Sequence, residues 1–154
     1  MGKTKEDLQK PVAPKLTEIF YHGGSGGEVY AKGCPVFFTR DRKGAEWYAT
    51  ERGGNTPTIH EHKLDIKNPS REEDIIKVAK EIGVEIKETP FFNAPEISEH
   101  SPYYGNNPTD LLYIPRVVRV LQKKGFDGFV GWDFLENTEI EVAVPFSTQR
   151  ILTI

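Results

Sequence analysis

The tetrapeptide Tyr21-His22-Gly23-Gly24 places an imidazole at the end of a short apolar stretch and follows it with residues that carry no side chains. A flat ligand could lie against bare backbone there, held through the Gly23 peptide groups with the His22 ring beside it. Phe37 and Tyr48 stand 11 positions apart. One falls on a predicted strand and the other on the helix predicted after it, so the two could close around an aromatic ring. Glu139-Ile140-Glu141 opens a late apolar stretch, and period-two alternation puts both carboxylates on one face. Such a pair gains chemical meaning only if that face borders a pocket. Each feature also has a plainer reading. A strand histidine is more often structural, Phe37 and Tyr48 could be two core aromatics, and paired glutamates at the start of a strand usually form a solvated edge. Thr39 and Arg40 lie beside the proposed site; Thr39 is counted among the residues expected to bind the cofactor, and neither has a specific contact assigned.

Other chemistry-bearing residues carry weaker patterns. The glycine run at residues 23–27 lacks the Gly-Lys-Ser/Thr ending of a phosphate loop and the spacing of a dinucleotide fingerprint. His60 and His62 alternate on a predicted strand, but no third ligand has suitable spacing, and no metal is expected. Cys34 reads as a buried or incidental thiol. Tyr103 and Tyr104, within a proline-rich stretch, could gate the site, bind a partner or simply pack the loop. Lys123 and Lys124 complement the C-terminal end of a predicted helix.

The elements that must position these groups are legible in outline. Residues 16–22 and 35–39 read as short strands. Asp41 caps a helix over 42–50 whose buried side is Ala45, Trp47 and Tyr48, ended by Gly53 and Gly54. Residues 58–66 read as a strand. Asn68-Pro69 breaks it, and Ser70 with Glu73 forms a capping-box signature for a helix over 71–82, with Ile75, Ile76, Val78, Ala79 and Ile82 on one stripe. Residues 85–108 hold four prolines and read as an irregular loop of the kind that often serves as a lid. A helix is expected over 109–124, with a kink or a late start at Pro115. Strands follow at 126–132, 139–144 and 149–154. Strands at both ends with helices between them predict an α+β fold on a mixed or mostly antiparallel sheet.

The chain has 154 residues, which suits one domain, with 1–15 as a mobile or loosely docked tail and 16–154 folded. A formal net charge of −3 gives no global attraction to nucleic acid or to an anionic membrane. The single cysteine rules out an internal disulfide framework and favours a cytosolic setting. No apolar run is long enough to span a bilayer, and the charged residues 1–10 do not read as a secretory signal.

The order of the motifs resembles the His–Tyr–Glu layout of the ADP-ribosyltransferases, the diphtheria-toxin-like and poly(ADP-ribose)-polymerase-like superfamily. Several connecting segments are similar to small phage and bacterial transferase domains of the polyvalent-protein kind: YHGG, VFFTRDRKGAEWYA, KLDIKNP, LQKKGFDGFV and EVAVPFSTQRI, spread over residues 20–151 in the expected order. Phe126-Asp127-Gly128 is then a fold marker near the site. The resemblance implies a split mixed or antiparallel sheet core with inserted helices, and NAD as co-substrate without a metal. It implies that His22 hydrogen-bonds the nicotinamide ribose, that the Gly23 backbone grips the carboxamide, and that Tyr48 stacks on the nicotinamide ring. Phe37 takes the first tyrosine position and lacks its hydroxyl. Glu141 takes the catalytic glutamate position, and Glu139 resembles the first acid of the E-x-E pattern of arginine-modifying members. The activity implied is mono-ADP-ribosylation of a macromolecule, such as a host protein, by a monomeric phage or bacterial effector in the cytoplasm. NAD hydrolysis, transfer to nucleic acid or a small molecule, and a non-catalytic binding module are the alternatives. Phe37 favours the last of these, and the Glu139–Glu141 pair favours the enzymes.

Overall fold

The computed structural model describes residues 11–25, 35–84, 86–88, 95–97, 108–135 and 138–154. The chain begins with β1 (Phe20–Ser25), α1 (Arg42–Arg52) and β2 (Pro57–Leu64). Strand β1 pairs antiparallel with β2, with His22 opposite His60, and β2 pairs with the C-terminal β8 (Ile151–Leu152). A second sheet has the order β3 (Pro69–Ser70), β6 (Gly128–Leu135), β7 (Thr138–Pro145). Its β3–β6 pairing is parallel and its β6–β7 pairing antiparallel, so this sheet is mixed. Between β3 and β6 come α2 (Glu72–Glu81), the short antiparallel pair β4 (Ile86–Glu88) and β5 (Pro95–Ile97), a 3-10 segment (Pro108–Tyr113) and α3 (Pro115–Lys123). The class is α+β. Most of the stretch expected as a lid, residues 89–94 and 98–107, lies outside the described residues, as do the N-terminal ten, Cys34, Tyr103 and Tyr104.

Two residues join the sheets. The Thr39 amide donates to the Tyr21 carbonyl at 2.9 Å, and the Tyr21 amide donates back to the Thr39 carbonyl at 2.8 Å. One residue earlier, Phe38 makes the same exchange with Ala143 of β7, at 2.9 and 2.8 Å. Successive peptide groups of extended chain point in opposite directions, so two residues suffice to hydrogen-bond a strand on each side. The expected strand over 35–39 is thus reduced to a bridge between β1 and β7.

That bridge defines two faces. On one, Phe37, Tyr48, Phe129, Ile140, Val142 and Val144 pack with α2, α3 and the 3-10 segment in the larger core. On the other, Phe20, Val36, Phe38, Leu64, Ile66, Val130 and Ala143 form a second cluster. Strands β6 and β7 are therefore apolar on both faces along part of their length, which explains why Val142-Ala143-Val144 does not alternate with polar residues.

Helix boundaries follow local chemistry. The Asp41 carboxylate accepts from the Lys43 amide at 2.9 Å, the cap expected for α1. The cap expected at Ser70 is not formed. Arg71 is the N-cap of α2, its amide donating to Asp74 at 2.8 Å. Ser70 is fully buried in β3, and its hydroxyl donates to the Gly128 carbonyl at 2.8 Å. Strand pairing with β6 claims Ser70, so the helix starts later and the partner at the third position is Asp74 rather than Glu73. Pro115 occupies the first turn of α3, where its missing N–H costs no helical bond, and the residues before it tighten into 3-10 geometry. The segment over 11–15, the described part of the expected tail, is docked: Arg71 donates to the Pro11 carbonyl, and Arg40 to those of Val12 and Ala13.

Candidate functional site

His22 sits half-buried on β1, its ring 5.5 Å from that of Phe38. Its Nδ1 lies 2.9 Å from the Phe37 carbonyl oxygen. A carbonyl can only accept, so the proton is on Nδ1 and Nε2 presents a lone pair. Burial pushes the imidazole below the usual histidine range, the Phe37 carbonyl opposes that shift, and His60 and His62 add to it. Gly24 faces Nε2, since a Cβ placed there would come 3.0 Å from that atom. Gly24 thus leaves room beside Nε2.

Gly23 serves a different purpose. A Cβ there would lie 1.8 Å from the Ala45 carbonyl oxygen and 2.7 Å from the Ala49 amide nitrogen. The bare backbone that could have received a flat ligand receives α1 instead, and the small residues Ala45 and Ala49 complete the close approach. Phe37 and Tyr48 meet on this same side. Their rings are nearly parallel, 16° apart, with centroids separated by 6.3 Å. Both are buried, at 7% and 3% exposure. The Tyr48 hydroxyl donates to Asp133, a buried carboxylate on β6 that also accepts from Thr109 at 3.3 Å. A ring held between two others needs two stacking spacings, about 7 Å. Nicotinamide could enter between Phe37 and Tyr48 only if they separated further.

Glu141 lies on β7 opposite Trp132, and Glu139 lies two residues earlier on the same face, opposite Phe134. That face is the one bearing Ala143 and the second apolar cluster, hence also Phe38 and His22. His22 and Glu141 therefore share a face, two strand spacings across and two residues along, about 12 Å between their Cα atoms. Phe37 and Tyr48 are on the opposite face. The structure thus brings together His22 with Glu141 and Phe37 with Tyr48, but it does not bring the four into one cavity. Thr39 is buried and accepts from the Asp41 amide at 3.2 Å, a turn contact leading into α1.

Arg40 acquires a part that its sequence context did not reveal. Its Nη1 is 2.6 Å from Glu141 Oε1 and its Nε 2.8 Å from Glu18 Oε2. The guanidinium carbon lies 5.0 Å from the centroid of the Phe20 ring, and Nη2 donates to the Val12 carbonyl at 2.9 Å. Burial works against the charge on Arg40 but is outweighed by Glu18 and Glu141, so its pKa lies above the ordinary value. The Arg40 hydrogen bond in turn holds Glu18 below the usual carboxylate range. These partners are 22 and 101 residues away in sequence. No local pattern could have signalled them.

His60 and His62 face the same side as His22. Ring centroids are 6.0 Å apart for His22–His60 and 6.5 Å for His60–His62, and His62 Nδ1 donates to the Leu152 carbonyl at 3.1 Å. Among the described residues no group of three His, Cys, Asp or Glu side chains is arranged to hold a metal ion. Asp127, within the segment expected as a fold marker, accepts from the Lys67 and Asn68 amides at 2.8 and 2.9 Å and so fixes the turn before β3. Among the described residues no helix is long and apolar enough to cross a membrane. No family model matches the chain, and no curated protein or solved structure is detectably similar to it.

Proposed function

We propose that the protein is an NAD-dependent mono-ADP-ribosyltransferase that cleaves the nicotinamide–ribose bond and passes ADP-ribose to a macromolecular acceptor, such as a host protein. The observation that carries this reading is the two-residue bridge at Phe38-Thr39. It joins the His22 strand to the Glu141 strand and sets the imidazole and the carboxylate on one face, about 12 Å apart at Cα. Both side chains are long enough to approach a sugar lying between them. His22 Nε2 would accept a hydrogen bond from a ribose hydroxyl. Glu141 would stabilise the positive charge that grows on the anomeric carbon as nicotinamide departs. That interaction strengthens toward the transition state, so it raises rate and not only affinity. Glu139, on the same face, would orient or deprotonate the acceptor. Phe37 and Tyr48, buried on the opposite face of the bridge, take no part in holding nicotinamide in this reading.

The test is calorimetric titration with NAD, followed by incubation with labelled NAD with and without cell lysate. Saturable binding that weakens in His22→Ala is expected. Label on a lysate protein marks transfer, whereas free ADP-ribose alone marks hydrolysis. Absence of both binding and turnover would overturn the enzyme reading in favour of a binding module.

A further inference from the structure

Glu141 cannot do the work just described in the arrangement that the structure holds. A guanidinium 2.6 Å from its Oε1 already neutralises the carboxylate, and a developing oxocarbenium would have to compete with a full, permanent positive charge. Arg40 is itself held from the other side. Its Nε and Nη2 reach both oxygens of Glu18, at 2.8 and 3.4 Å, and Nη2 also donates to the carbonyls of Val12 and Ala13, at 2.9 and 3.4 Å. The Phe20 ring supports the guanidinium from beneath. The segment is fastened further along by Arg71 at the Pro11 carbonyl, and the Lys15 amide donates to Glu18 at 2.9 Å.

Glu141 and the N-terminal segment thus share one cation, and every contact that fixes Arg40 toward residues 12–18 also fixes it against Glu141. The segment's largest apolar side chains anchor it little, since Val12 and Leu16 are more than half exposed and Pro11, Ala13 and Pro14 only part-buried. Polar contacts to arginines are what hold it, and such contacts exchange with solvent far more readily than packed apolar ones.

We propose that residues 11–18 form an autoinhibitory strap, latching Arg40 onto Glu141 so that the carboxylate is released only when the strap lifts. The inference rests on the reading of Glu141 as the catalytic carboxylate. In the open state Arg40 swings toward solvent and the Glu141 carboxylate loses its paired cation, leaving its charge free to face the ribose. Binding of an acidic partner surface to Arg40 or displacement of residues 11–18 by the acceptor would have the same result.

The test compares the parent protein with Arg40→Ala and Glu18→Ala, measuring NAD binding, nicotinamide release from NAD and protease sensitivity of residues 11–18. Arg40→Ala is expected to raise turnover about tenfold, the effect of removing one charge-assisted hydrogen bond from the closed state. Glu18→Ala should raise it less, and the strap should be cut faster in both. Equal turnover in all three proteins, or a fall in Arg40→Ala, overturns the strap while leaving the activity standing. No turnover and no NAD binding in any of the three would instead remove the reading of Glu141, and the strap's regulatory role with it.

Discussion

Gly23→Ala is expected to damage the fold far more than its single added methyl suggests. An ideal Cβ at that position stands 1.8 Å from the Ala45 carbonyl oxygen and 2.7 Å from the Ala49 amide nitrogen, both backbone atoms of α1. Ordinary contact needs more than 3 Å, so α1 must retreat from β1 by roughly 1.5 Å or the strand must twist away. Overpacking that side chains can absorb costs about 1–3 kcal/mol. Here neither obstacle is a side chain, so the cost should reach ~3 kcal/mol, a large share of the 5–15 kcal/mol typical of a domain. For this chain length each kcal/mol moves the melting temperature by about 2–4 °C, which gives a drop of roughly 10 °C. Gly54→Ala is the comparison. That residue has φ of 59° with nothing within 4 Å of a built Cβ, so it loses only the local backbone preference, about 1 kcal/mol. Thermal and urea unfolding of the two variants would measure the difference. A Gly23→Ala protein melting within about 2 °C of the parent would refute the close packing of α1 on β1, and with it the assignment of Gly23 to the helix interface.

Tyr48→Phe keeps the ring but takes a donor from buried Asp133, so it should cost about 1–3 kcal/mol in urea unfolding; unchanged stability would show that the hydroxyl contact is dispensable. The lowered pKa of His22 makes the unfolded chain bind the extra proton first. Stability is therefore complete above the unfolded value of 6.5 and falls as pH drops from there through the folded pKa, with a slope of at most about 1.4 kcal/mol per unit from this residue. His22→Gln should flatten that part of the curve, and an unaltered profile would place the titration elsewhere.

Much of the scaffold was legible because its signals are local. Asp41 before α1, Gly53 after it, Pro115 at the start of α3 and the Ile75–Val78–Ala79 stripe each act within a few residues. Ser70 misled because its hydroxyl serves a strand partner 58 residues away rather than the helix beside it. The candidate site was legible as residue types, not as an arrangement. Period-two alternation put Glu139 and Glu141 on one face correctly. No spacing rule could show that His22 and Phe37, joined by a hydrogen bond, send their rings to opposite faces of the bridge, or that Gly23 answers to α1 while Gly24 faces the His22 ring. Arg40, Glu18 and Asp133 were missed as a set because ion pairs and buried hydrogen bonds between distant segments leave no periodicity.

The most direct test of the central claim is nicotinamide release from NAD by the parent protein and by Glu141→Gln, with circular dichroism to check that the variant is folded. The amide keeps the size of the side chain and removes the charge, so release should fall by about 10²–10³ while NAD still binds. Undiminished release from folded Glu141→Gln would contradict the role given to this carboxylate.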